Sequence, residues 1–350
     1  MNSQQGVSVM TRWTNPRVPK LPKTSGWIAK KYHLVKEILA LARANGATRN
    51  TFKRQNHSTV TVMSYESAQR IEEEKVSLLQ EKFPQSPPSE ILRFLRACGG
   101  DQEKAILKLR VSLDWRELHD LDNPAYHEEI RTSESDKEDW IRSCRKAVEY
   151  MRRMDTEVSR KKKSSRALKA SEETFDLPQI IFVYKDGSSQ GMLSKTGNRL
   201  LHVMPALIDR KIANAETYAL ALAFFLDRQQ DRCTLDEYFV LLDVRPGLGW
   251  ANIPAYNMMP FIKAVGGLLH QHFPERLGKF FVYPLPRPAL WIWEMVKPFL
   301  DNSVVESAHL IGGKDSIQSP APNHVLRTYI DDDDLNRMEE NRLSMFKSSC

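Results

Sequence analysis

Tyr238-Phe239-Val240-Leu241-Leu242-Asp243 is a short apolar run closed by an acid, and Phe280-Phe281-Val282-Tyr283 is a second one. Ile253–Phe273, between them, has the length of a helix. A short run, a helix-length segment and another short run is the pattern of strands joined by a crossover. The same alternation continues outward. Ile180–Tyr184, Leu200–Val203 and Ala308–Ile311 are further short apolar runs, and Ala215–Gln230 and Leu290–Leu300 are helix-length segments. Strands alternating with helices predict an α/β layer with a largely parallel sheet.

Upstream the period changes to that of helices. From Tyr65 to Phe83, Ala68, Ile71, Leu78 and Leu79 are expected on one side, and Pro84 ends the pattern. Pro87, Pro88 and Ser89 start a second helix containing Ile91, Leu92 and Leu95, which Gly99 and Gly100 stop. Asp101 is placed to cap a third, with Ala105, Ile106, Leu109 and Leu113 at helical spacing. A longer helix then puts Trp140, Ile141, Cys144, Ala147, Val148, Met151 and Met154 on one face.

Charge divides the chain further. Residues 1–60 hold eleven Lys/Arg and one acid, Glu37, so +10 sits there out of a total of +7 for all 350 residues. This arm suits an anionic surface better than a nucleic-acid fold. Three readings compete for it: a basic amphipathic helix over Trp27–Arg43 lying on anionic lipid, an organelle transit peptide, and a disordered tail. The expected organisation is a basic arm over 1–63, a helical module over 64–125, and a core over 126–330 with a basic loop at 156–173. An acidic and polar tail is expected over 331–350, with its acid run Asp331–Asp334 solvated. The longest apolar run, Tyr218–Leu226, falls far short of the roughly 20 residues of a spanning helix. Cys98, Cys144, Cys233 and Cys350 are scattered, which fits a reducing compartment and supports no disulfide framework or zinc ribbon.

Catalytic motifs are few. Gly187-Ser188-Ser189-Gln190-Gly191 has the G-x-S-x-G form of a nucleophile elbow, and Asp243 followed by His270, His272 or His309 completes a hydrolase order. The residues after Gly191 read as an irregular loop where an elbow needs a helix. Gly247 and Gly249 lack the third glycine of a dinucleotide fingerprint, and the sequence contains no P-loop pattern. His270 and His272, two apart on a helix, point to different faces and have no ligand-spaced partner. No metal, no cofactor and no catalytic constellation are expected.

The segment Pro284-Leu-Pro-Arg-Pro-Ala-Leu-Trp291-Ile-Trp293-Glu-Met295-Val296-Lys297-Pro298-Phe299-Leu300 is apolar on nearly all sides and bounded by prolines. It suits a mobile cover, greasy against a cavity when closed and against a bilayer when open, with Pro298 favouring bending.

Arg93-Phe94-Leu95-Arg96-Ala97, a following helix that ends in Asp114-Trp115-Arg116, Phe273-Pro274-Glu275-Arg276-Leu277-Gly278-Lys279, and Val296-Lys297-Pro298-Phe299-Leu300-Asp301 occur in the order and spacing of one family. From about Tyr65 to Ile330 the chain resembles the CRAL-TRIO lipid-binding family, which includes phosphatidylinositol transfer proteins. The resemblance implies a small N-terminal helical module and a mixed, largely parallel five-stranded sheet, with helices on one face and a gated apolar cavity on the other. It implies Tyr238, Val240, Leu242, Phe281 and Tyr283 as cavity lining, and Trp291, Trp293, Met295, Val296 and Phe299 as the gate. Arg96, Glu275, Arg276 and Lys297 are its candidates for the headgroup and mouth. Cys98-Gly99 stand where phosphatidylinositol binders have a basic pair, and Val304 and Ser307 where they tend to have Thr and Lys, so that lipid is not named.

The function implied is non-catalytic: one lipid or similar amphiphile, such as a phospholipid, held in a cavity and exchanged with membranes. A lipid-responsive adaptor is the alternative, and a serine hydrolase using Ser189 a remote one. Ligands other than glycerolipids also stay open, including haem met by Tyr238, His202 or His309. The expected partners are the lipid and, transiently, an anionic membrane surface, with no nucleic acid. The chain is expected to be a cytoplasmic, peripherally membrane-associated monomer.

Overall fold

Prolines and glycines set the first helices apart. The computed structural model describes residues 65–133, 135–162, 177–185, 191–246, 255–285, 293–294, 297–299, 302–314, 316 and 319–347. Helix α1 is Tyr65–Lys82 and α2 is Pro88–Ala97, with proline at its first position, where no amide partner is lost. Gly99 and Gly100 follow with φ of 64° and 79°, a left-handed turn that glycine adopts without strain. Asp101 then caps α3 (Gln102–Leu118), accepting from the amide of Lys104 at 3.1 Å. Leu79, Phe83, Ile91, Phe94, Leu95, Ala105 and Leu109 form the core of this three-helix module. Helix α1 buries Leu79 as expected, with Val76 beside it and Phe83 just past its end, while Ile71 and Leu78, expected on the same side, are exposed.

Helices α4 (Pro124–Arg131) and α5 (Asp136–Lys162) lead into β1 (Ile181–Phe182). The part of the expected basic loop from Thr156 to Lys162 is the end of α5; the rest of that loop, and the basic arm, lie outside the described residues. Asp139 fixes α5 by accepting from Lys185 Nζ at 2.7 Å, Arg228 Nε at 2.9 Å and Gln229 Nε2 at 2.8 Å. Next come β2 (Arg199–Val203), α6 (Ala215–Gln229), β3 (Tyr238–Asp243), α7 (Ala255–His272), β4 (Leu277–Leu285), α8 (Asn302–Glu306) and β5 (Ala308–Gly312). Two short pieces, α9 (Asn323–Leu326) and α10 (Asp332–Lys347), finish the chain.

The five strands lie in sequence order, β1 antiparallel to β2 and the others parallel. Parallel neighbours taken in order require crossovers of one hand, which places α6 and α7 on the same face. Helix α6 is buried from Thr217 to Gln229, so it is a core helix rather than an amphipathic one. The opposite face is packed by α9 and α10. There Leu326, Leu335 and Met338 are buried and Arg342 is 1% exposed. The acidic and polar tail expected over 331–350 is a docked helix from Asp332 to Lys347, because its apolar residues repeat at helical spacing behind the acid run, of which Asp331, Asp332 and Asp333 are exposed as expected. Among the described residues, no helix is long and apolar enough to cross a membrane.

Candidate functional site

Side chains alternate between faces along each strand, and directly paired residues of neighbouring strands share a face. Val240 pairs with Phe280, and Phe280 with Ala308; Leu242 pairs with Val282, and Val282 with Leu310. These six residues form an apolar floor across β3, β4 and β5. Val282 is buried, whereas Val240, Leu242, Phe280, Ala308 and Leu310 are only half-buried. Trp293 approaches this floor, its ring centroid 6.4 Å from that of Phe280. Tyr238 belongs to the same face but is covered by α6, where its hydroxyl donates to the carbonyl of Gln229 at 3.0 Å.

The register thus divides the five expected lining residues. Tyr238, Val240 and Leu242 are on the floor side. Phe281 pairs with Leu241 and Tyr283 with Asp243, so both point to the other face, where each is at most 1% exposed. Of the expected gate, Trp291, Met295 and Val296 and the side chain of Phe299 lie outside the described residues. Lys297 is held by Glu294 at 2.6 Å.

Among the described residues, the second face is packed by side chains. Leu200, His202, Phe239, Leu241, Asp243, Phe281 and Tyr283 are all buried there. Asp243 receives Arg245 Nε at 2.9 Å and Nη2 at 2.6 Å, and Arg342 Nε and His202 Nε2 lie 3.6 and 3.5 Å from it. Burial alone would raise the Asp243 carboxyl, but His202, hydrogen bonds from Arg245 and the charge of Arg245 hold it well below the usual carboxylate range. Arg245 continues to Glu339 at 2.7 Å, and the Tyr184 hydroxyl meets His202 Nδ1 at 2.6 Å. This cluster ties β2 and β3 to α10. The sequence signal for it was the Asp243-x-Arg245 spacing at the end of an apolar strand, which reading for catalysis passed over.

A model of the CRAL/TRIO domain matches residues 190–337, the stretch from the segment before β2 into α10. That stretch is similar to a CRAL/TRIO domain and makes up less than half of the chain. A CRAL-TRIO domain-containing protein of Saccharomyces cerevisiae (strain ATCC 204508 / S288c) is 35% identical over 72 residues, 21% of this chain and 22% of that protein. The Sec14 cytosolic factor of Schizosaccharomyces pombe (strain 972 / ATCC 24843) is 28% identical over 72 residues, 21% of this chain and 24% of that protein. The matched stretch therefore spans under a quarter of either relative. Among solved structures, that of Sfh5 superposes with a TM-score of 0.40 and 12% identity, covering 68% of this chain and 65% of that one.

Outside the CRAL/TRIO segment, the helical module docks on the loop between α6 and β3. Arg116 pairs with Asp227 and, at 2.8 Å, with Asp122. Arg93 donates to the carbonyl of Thr234, and Glu90 pairs with Arg232 at 2.5 Å. Arg93 and Arg116 of the two family-like motifs are thus docking residues. The expected mouth residues scatter. Arg96 pairs with Glu72 of α1 at 2.9 Å. Glu275 is exposed with φ of 53°. Arg276 is 4% exposed and donates to the carbonyls of Asp236 and Asp231. In the remote hydrolase reading, Ser189 lies outside the described residues, and Asp243 is engaged by Arg245 and His202.

Trp115 centres the docked interface. His272 stacks on it with centroids 4.4 Å apart, and His119, Phe224 and Phe273 surround it. Burial, helped by Lys146, pushes His119 down to about 4; burial, helped by His119 and Arg116, pushes His272 down to about 3. In the unfolded chain both titrate near 6.5, so below that pH the unfolded state binds more protons and stability falls with pH. Between pH 7 and pH 5, His119 and His272 are each expected to remove about 2 kcal/mol. Urea unfolding across this range checks it: the His119→Phe variant should show a flatter profile, and an unchanged slope would contradict the assignment.

Proposed function

We propose that the chain binds one lipid, a phospholipid or similar amphiphile, with its acyl portion on the Val240–Leu242–Phe280–Ala308–Leu310 floor beneath Trp293. One observation carries this reading: the sheet packs one face solid and leaves a contiguous apolar strip half-covered on the other. Apolar surface in that position gains about 25 cal/mol for each Å² that a ligand removes from water. No polar group on the strip invites bond chemistry, so the reaction is exchange, with no bond made or broken.

The physical problem is desorption. Moving a sixteen-carbon chain from bilayer to water costs about 13 kcal/mol at 0.8 kcal/mol per methylene. A protein that docks on the membrane and opens over its apolar floor passes the chain across without that exposure. The segment around Trp293 acts as the cover, and the basic arm over residues 1–63 supplies attraction to anionic lipid.

Transfer of fluorescent phospholipid from donor to acceptor vesicles tests the reading. Leu242→Arg puts a charge on the floor and Trp293→Asp removes the cover's apolar contact. Each is expected to slow transfer at least tenfold, equivalent to about 1.4 kcal/mol, with the urea midpoint of Trp293→Asp unchanged. Wild-type rates in both variants would contradict the floor assignment. Loading without transfer would make the chain a lipid-responsive adaptor instead.

A further inference from the structure

The docked interface encloses four guanidinium groups, those of Arg93, Arg116, Arg232 and Arg276, around a cavity of about 10 Å³, room for one water-sized particle. Carboxylates are shared unevenly among them. Arg116 has Asp227 and Asp122, and Arg232 has Glu90 and Asp122. Arg93 and Arg276 are held only by main-chain carbonyls among the described residues: Thr234 and Arg232 for the first, Asp236 and Asp231 for the second. The side chains of Asp231 and Asp236 are turned to the amide of Cys233 and the hydroxyl of Thr234.

Both of these arginines are at most 5% exposed, and Nε of Arg276 is buried with no hydrogen-bond partner among the described residues. An idle buried N–H is costly, and on a cation more so. Burial and the charge of Arg276 together push Arg93 down to about 10, against the opposing charge of Glu90. Glu90, Asp231 and Asp236 act on Arg276 through space, yet none of these carboxylates is hydrogen-bonded to it, and its idle N–H belongs to a side chain that lines the small space.

We propose that this cavity is a binding site for a single monatomic anion, chloride in ordinary buffers, held between Arg93 and Arg276 and clamping the helical module to the CRAL/TRIO segment. The space excludes phosphate, sulfate and any lipid headgroup. A water molecule is the rival occupant. It could accept from Arg276 Nε, but it brings no charge to a space lined by four guanidinium groups.

Crystals of the full chain grown in bromide instead of chloride give the direct test. One anomalous peak is expected in the cavity, within hydrogen-bond distance of Arg276 Nε. In solution, the unfolding temperature in sodium chloride is compared with that in sodium gluconate of equal ionic strength. Chloride should raise it by about 2–4 °C per tenfold increase above its Kd, and gluconate, too large to enter, should not. Arg276→Gln should abolish the difference; if that variant does not fold, the bromide position in the wild type decides. A cavity holding water with no anomalous signal, or equal unfolding temperatures in the two salts, would overturn the proposal.

Discussion

Asp243→Asn is expected to lower the unfolding free energy by about 3–5 kcal/mol, the cost of stranding buried cations when their shared anion is removed. The substitution keeps shape and volume, so the loss is electrostatic. Asp243 is 1% exposed; Arg245, held through two nitrogens, and Arg342, 3.6 Å away, are each at most 2% exposed. Arg245 keeps Glu339 at 2.7 Å, which offsets part of the loss, while Arg342 retains Glu339 at 3.3 Å and the carbonyl of Pro246. Adding Arg245→Gln to Asp243→Asn should recover part of the deficit, because the pair is coupled. A urea titration that finds less than about 1 kcal/mol lost would mean the cluster is solvated, against its burial. The acid limb follows the same logic. A carboxyl held below its unfolded value contributes stability that is present above the unfolded pKa of about 3.9 and is lost as pH falls below it.

Arg116→Met should be comparably severe, about 3–5 kcal/mol, but its damage should be local to the docked module. Arg116 and Asp227 are each 6% exposed at the side chain, and Asp227 also accepts from the Tyr126 hydroxyl at 3.2 Å. Methionine fills the space of the stem without charge, leaving Asp227 buried beside a phenol. The expected signature is faster proteolysis after α3 and a shift in the emission of Trp115, whose ring packs within this interface. Asp227→Asn added to Arg116→Met should restore part of the stability. Full stability in the single variant would show that the module docks by its apolar contacts alone.

Much of this architecture was legible before any coordinates. The run Tyr238–Asp243 is a strand over the same residues, and Ala215–Gln229 differs from the expected helix by one residue. Both succeed because a parallel sheet buries whole apolar runs between helices, and such runs are too short to be anything else. The face assignment was less accessible. A strand buried on both sides has no polar alternation to say which side is which, so Phe281 and Tyr283 were grouped with Val240 although the register sets them apart. Helix α10 was missed because Asp331-Asp-Asp-Asp334 dominates its start, and acids at a helix N-terminus favour the helix they seem to solvate. Arg276 was read as a mouth residue because charge in a motif suggests a ligand, yet here main-chain carbonyls use it.

The account centres on an apolar floor that a lipid covers, and mass spectrometry of the purified full chain tests it most directly. Under native conditions after incubation with phospholipid vesicles, the chain should carry one adduct of lipid mass that disappears on denaturation and reappears in the organic extract. A bare chain at its sequence mass after the same incubation, with no lipid in the extract, would contradict it.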